Sequence, residues 1–134
     1  MKRKVLMITL FAVVVITPFY FWGIKLSKEL RENNNIINGG RITKCTYGGR
    51  GRGGSISIDY TFTLSNQEYK GSTSINTSSL SPADCDEYFL NRYFPVVYHP
   101  QRPSNNLILI IKRDFEAFNY QFPDSLSWIL NYTK

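Results

Sequence analysis

Two patterns of apolar and polar positions divide this chain. From Val5 to Ile24 it reads VLMITLFAVVVITPFYFWGI, twenty positions with no charged residue. From Ser55 to Leu64 it alternates: Ile56, Ile58, Tyr60, Phe62 and Leu64 share one face, and Ser57, Asp59, Thr61 and Thr63 share the other. The first pattern has the length of a helix that crosses the roughly 30 Å hydrocarbon core of a bilayer. The second, with its period of two, is that of a strand buried on one side.

The pattern extends to the neighbouring segments. Residues 41–47 (RITKCTY) alternate through Ile42, Lys44 and Thr46 and predict a strand, with Gly39-Gly40 as a break before it. Residues 65–67 form a turn, and 68–75 (EYKGSTSI) predict a third strand. Ser81-Pro82-Ala83-Asp84 opens a short helix: Ser81 caps it, Pro82 takes its first position and Asp84 sits at the positive end of its dipole. FPVVYHP (94–100) predicts a strand ending at a proline, residues 101–105 a turn, and NLILIIKR (106–113) a strand buried on both faces or covered by elements next to the N-terminal helix. The aromatic segment that follows contains SLSWIL after Pro123-Asp124, a short closing helix. The expected fold class is therefore mainly β (α+β): an N-terminal transmembrane helix, then a small antiparallel sheet or partly open barrel with one short helix. The corresponding division is 1–24, tail and anchor; 25–38, linker; 39–113, β-domain; and 114–134, aromatic C-terminal tail.

A cleaved secretory signal is the alternative to an anchor. Its apolar stretch runs about 7–15 residues and ends at small residues, whereas bulky Phe19, Tyr20, Phe21 and Trp22 stand here. Length and aromatics favour the uncleaved anchor, with Tyr20 and Trp22 at the membrane interface. Lys2, Arg3 and Lys4 before the run are nearly balanced by Lys25, Lys28 and Arg31 after it, so the charge count alone does not decide orientation. The short, almost wholly cationic N-terminal tail argues for a cytoplasmic N-terminus, with the bulk of the chain periplasmic or extracellular.

Charge and cysteines refine this picture. Net charge is +6, but several of the cations flank the apolar run, where they orient a helix instead of binding a polyanion. The stretch YGGRGRGGS (47–55) resembles an arginine–glycine segment that binds RNA, yet it is a single copy between two predicted strands and reads as a hairpin loop. Arg50 and Arg52 are its candidate contacts, to lipid phosphates or an acidic partner; nucleic acid is not expected as a partner. Cys45 and Cys85 form no C-x-x-C pair, and with a single histidine they make no metal set. A bridge between them would stabilise a small domain by roughly 3–4 kcal/mol and would fit an oxidising compartment; two unrelated buried thiols are the other reading.

Catalytic patterns do not emerge. A G-x-S-x-G elbow, a phosphate loop and paired carboxylates in a usable arrangement are missing from the sequence. His99 reads as a turn residue, and Asp84, Asp86 and Glu87 as a helix start. Asn76-Thr77-Ser78 and Asn131-Tyr132-Thr133 match the glycosylation sequon, a short pattern that arises often by chance. We therefore expect no enzyme, cofactor or metal.

Residues 96–107, VVYHPQRPSNNL, resemble the V-x-Y-D-P-x-x-P closing motif of a widespread, uncharacterised bacterial family of small membrane-anchored β-domain proteins (a domain of unknown function). The glycine- and arginine-rich loop, the IDYTF strand and Tyr69-Lys70-Gly71 resemble the same family in order, over about residues 39–111. His99 stands where the family has Asp, and the cysteines and aromatic tail also differ. The resemblance implies an extracytoplasmic or membrane-proximal β-domain and no particular reaction. The function expected is that of a single-pass membrane protein whose non-catalytic β-domain binds an envelope or secreted protein, with lipid contacting residues 5–24. An immunity protein against a secreted toxin is one concrete form, and a structural accessory subunit assembled through its transmembrane helix is the alternative.

Overall fold

The computed structural model describes residues 2–48, 54–77 and 79–133, and side chains from residue 16 onward. A long helix, α1 (Lys2–Glu32), leads into five strands and short helices: β1 (Asn35–Gly48), β2 (Gly54–Leu64), β3 (Gln67–Thr77), α2 (Pro82–Phe89), β4 (Tyr93–His99), β5 (Arg102–Ile108), α3 (Lys112–Ala117) and a 3₁₀ helix, Asp124–Asn131. The strands form one antiparallel sheet in the order β3-β2-β1-β4-β5. It curls until its edge strands β3 and β5 approach each other, giving a nearly closed barrel.

The alternation in β2 behaves as expected: Ile56, Ile58, Tyr60 and Phe62 are buried, and Ser57 and Thr63 are exposed. Ser65 and Asn66 both take positive φ, as a two-residue hairpin turn of the primed type requires, and the β2–β3 register runs unbroken from Leu64↔Gln67 to Gly54↔Thr77. β1 differs from its alternating reading. A register shift between Ile42 and Lys44 inserts one residue, so the inward face passes from Ile42 to Cys45 and Tyr47 while Lys44 and Thr46 point out.

The segment expected as linker is ordered structure. α1 continues through Glu32 and β1 starts at Asn35, leaving Asn33 and Asn34 as the junction. Gly39-Gly40 does not break the chain. It lies inside β1 at a second shift, where a Cβ on Gly40 would collide with the Val96 side chain and crowd the Phe94 carbonyl. The final strand begins earlier than expected: Pro103 lies in β5, where an edge strand tolerates its missing N–H, and the turn is Pro100-Gln101. The apolar run after it leaves the sheet at Leu109 and enters α3, an element that its apolar pattern conceals. The helices expected at Ser81-Pro82 and after Pro123-Asp124 are both present, the second as a 3₁₀ helix, and α3 is the one not foreseen.

Two apolar clusters result. The barrel interior holds Ile42, Ile58, Tyr60, Phe62, Phe89, Phe94, Val96 and Ile108, among others. A smaller one on the outer face of β4 joins Leu30 of α1 to Val97, Leu109, Phe115 and Phe118. Val96 and Val97 are both fully buried because β4 is covered on both sides, and Ile108 and Leu109 are split in the same way.

Candidate functional site

The residues of the family-like motifs converge on the barrel seam. Tyr60, reaching across the interior from β2, donates through its hydroxyl to Asn106 Oδ1 (2.8 Å) and accepts from the Ile108 amide (3.1 Å). Asn106 Nδ2 in turn donates to the carbonyls of Pro103 (2.8 Å) and Lys70 (3.4 Å), linking β5 to β3 where the sheet does not close. Gly71 lies against the Tyr60 ring, and any Cβ there would overlap both Tyr60 and Asn106. Burial holds the Tyr60 phenol far above its ordinary pKa, partly offset by the amide of Ile108. Tyr69 stacks on Phe62 at 5.6 Å, and Tyr98 packs against the same ring. These motif residues thus seal the barrel between β3 and β5.

A second constellation has a different character. Ser81 caps α2 in a reciprocal box, its backbone N donating to Asp84 Oδ2 (2.7 Å) and its hydroxyl facing the Asp84 amide (3.4 Å). Cys85, one turn in, is disulfide-bonded to Cys45 of β1 with Cα atoms 5.8 Å apart. Capped and bridged, α2 presents Tyr88 to Trp128 and Tyr132 around the 3₁₀ helix, with ring centroids 5.7 and 5.4 Å away. Arg92 lies 6.0 Å over the Trp128 ring, and Arg92, Asn131 and the three rings line a cleft of about 210 Å³. A hydrogen bond to Tyr132, with the nearby charges of Glu87 and Asp84, pushes the Tyr88 pKa up to about 12. Tyr93, next to Arg92 in the chain, and Leu130, within the 3₁₀ helix, are also exposed.

The other expected site residues are dispersed. Arg50 and Arg52 lie outside the described residues, although the pairing Gly48↔Ser55 confirms that their segment joins two adjacent antiparallel strands. Tyr20 and Trp22 are exposed on α1, at 67% and 58%. His99 Nδ1 accepts from the Gln101 amide (3.3 Å) and belongs to the β4–β5 turn. Among the described residues no cluster of three or more His, Cys, Asp or Glu could hold a metal, and no helix is long and apolar enough to cross a membrane.

Sequence reasoning overlooked two asparagines. Asn106 needed the barrel topology to be recognised. Asn105 Nδ2 donates to the Leu26 carbonyl of α1 (2.8 Å), a contact across 79 positions that no local pattern signals. Set against known proteins, the chain matches no family model, and no curated protein or solved structure shows significant similarity to it.

Proposed function

We propose that this is a single-pass membrane-anchored protein whose β-domain lies outside the cytoplasm and, without catalysis, binds another envelope or secreted protein through the Tyr88–Trp128–Tyr132 face. The observation that carries this reading is that face itself. Tyr, Trp and Arg are the residue types that dominate binding energy at protein interfaces, and here Tyr88, on a helix fixed by a cap and a disulfide, packs against Trp128 of the 3₁₀ helix with Arg92 over the indole. Preorganisation of this kind lowers the ordering cost of association. Shielding a host from a secreted toxin is one form such binding could take.

The anchor is supported by the run Val5–Ile24, by the helical backbone of α1 and by the bare Ile16, Phe19, Tyr20, Phe21 and Trp22. The disulfide supports an oxidising compartment, and the family-like motifs agree with a membrane-proximal β-domain.

A photoreactive residue at Leu130 in the full-length, membrane-resident protein should crosslink a partner in intact cells, and Trp128→Ala should abolish that adduct. A partner captured instead from position 19 or 21, and indifferent to Trp128→Ala, would establish the accessory-subunit alternative. Protease added to spheroplasts should degrade the β-domain; protection would overturn the assigned compartment.

A further inference from the structure

The outer end of α1 and the β-domain enclose a groove of about 510 Å³. Its apolar lining comes from Leu26 and Leu30 of α1, Leu107 of β5 and Phe118 after α3, and Arg31 and Arg113 stand on its rim. Neither arginine forms an ion pair among the described residues. The one acid in the lining, Asp114, stands beside Arg113 and is committed to the start of α3, where its Oδ2 accepts from the Ile111 amide (3.4 Å). Through Gly23, Ser27 and Arg31 the groove shares its wall with a second concavity, of about 670 Å³, that runs down α1 past Lys28 to Tyr20 and Phe19. Gly23 leaves this junction open, with no atom within 4 Å of where a Cβ would stand.

We infer that this groove seats one anionic phospholipid of the surrounding bilayer, its phosphate between Arg31 and Arg113 and an acyl chain along α1 toward Phe19. The inference rests on the membrane reading above. Charge selects the occupant: an apolar floor with a cationic outer rim matches an anionic headgroup on a hydrocarbon tail, and a zwitterionic lipid offers those arginines less. Depth agrees as well. Arg31 stands about 14 Å beyond Trp22 along the helix, and a helical side chain leans back toward the N-terminus, so its long stem returns the guanidinium toward the headgroup layer beyond the aromatic belt. The seat also gives a role to two cations that form no ion pair among the described residues, while Lys25, Lys28 and Lys112 each pair with a glutamate one turn away.

The test uses the full chain in detergent with equimolar phosphatidylglycerol and phosphatidylcholine, and reads lipid retained by native mass spectrometry. Phosphatidylglycerol should be preferred roughly ten-fold, and Arg31→Gln/Arg113→Gln should bring the ratio close to one. Lys44→Gln/Lys70→Gln, which removes the same charge from the barrel, should leave the preference intact. Equal retention of both lipids by the wild type, or loss of preference in the barrel variant, would overturn the seat. Displacement of the lipid by inorganic phosphate alone would show a free-anion site instead. Alkaline carbonate washing separates the two levels: wild type and Arg31→Gln/Arg113→Gln should both stay in the membrane pellet. If the wild type is washed out, the anchor itself fails; if it stays but shows no lipid preference, only the seat fails.

Discussion

The barrel and the helix that precedes it handle apolar side chains in opposite ways. In β2 every second residue is apolar and all of these turn into one closed interior, so Ile56 and Ile58 are wholly buried. On the described part of α1 the barrel covers one side only, and Ile16, Phe19, Tyr20, Phe21, Trp22 and Ile24 stay exposed. Leu30 lies on the covered side and is 4% exposed, whereas Ile16, about four turns earlier on the same helix, is 65% exposed. A strand with a period of two needs one apolar partner layer, while a helix that is apolar all round needs an apolar surrounding. The barrel therefore buries its own apolar residues, whereas those described on α1 from Ile16 to Ile24 stay exposed.

The contrast breaks most visibly at the staple. Cys45→Ser/Cys85→Ser should cost roughly 3–4 kcal/mol, seen as a lower denaturant midpoint. It should also weaken partner binding, because α2 would lose its tie to β1. At the seam, Tyr60→Phe would leave the buried Ile108 amide without its acceptor and Asn106 without its donor. A loss of about 1–3 kcal/mol is expected from chemical denaturation. At the boundary between the two regions, Arg102→Ala removes the exposed ion pair with Glu29 (3.3 Å) and should cost only about 0.2–1 kcal/mol, diminishing further in high salt.

A titration probes the aromatic face. Tyr88 has a folded pKa of about 12 against 10.0 when unperturbed, so its contribution to stability is complete below pH 10 and is lost as pH rises through 12. Tyr132→Phe, by deleting the hydrogen bond that is the main cause, should move the late step in tyrosinate absorbance toward the ordinary range. The smallest effect on folding belongs to α1. Phe19→Ser/Phe21→Ser should leave the barrel's stability within about 0.5 kcal/mol of wild type. The same change should shift the chain out of the carbonate-washed pellet, a difference a sealed barrel residue could not produce.

The sequence was most legible where burial is one-sided and local. The β2 alternation, the Ser81 cap with Asp84 and the Ser65-Asn66 turn could all be read because each depends on neighbours within a few positions. The same holds for the presence of a helix over the apolar run. Legibility failed where tertiary pairing overrides pattern. Thr43 is an extra residue in a ladder whose partner the sequence does not name, so the inward face of β1 changes phase unannounced. Leu107 to Ile110 read as one continuous strand because two separate clusters each take alternate members. The aromatic face was foreshadowed only as a tail rich in rings. Its assembly needs a bridge spanning forty positions and the docking of the C-terminal segment beside α2.

The junction at Asn33 and Asn34 carries a consequence of its own. Asn34 donates to the Arg31 carbonyl (3.3 Å) and accepts from the Tyr120 hydroxyl (3.0 Å), while Asn105 grips the helix a turn and a half earlier. A protein tethered by a floppy leash can search a hemisphere for its target. Here the end of the helix is bolted to the barrel like a bracket, so that turning one turns the other.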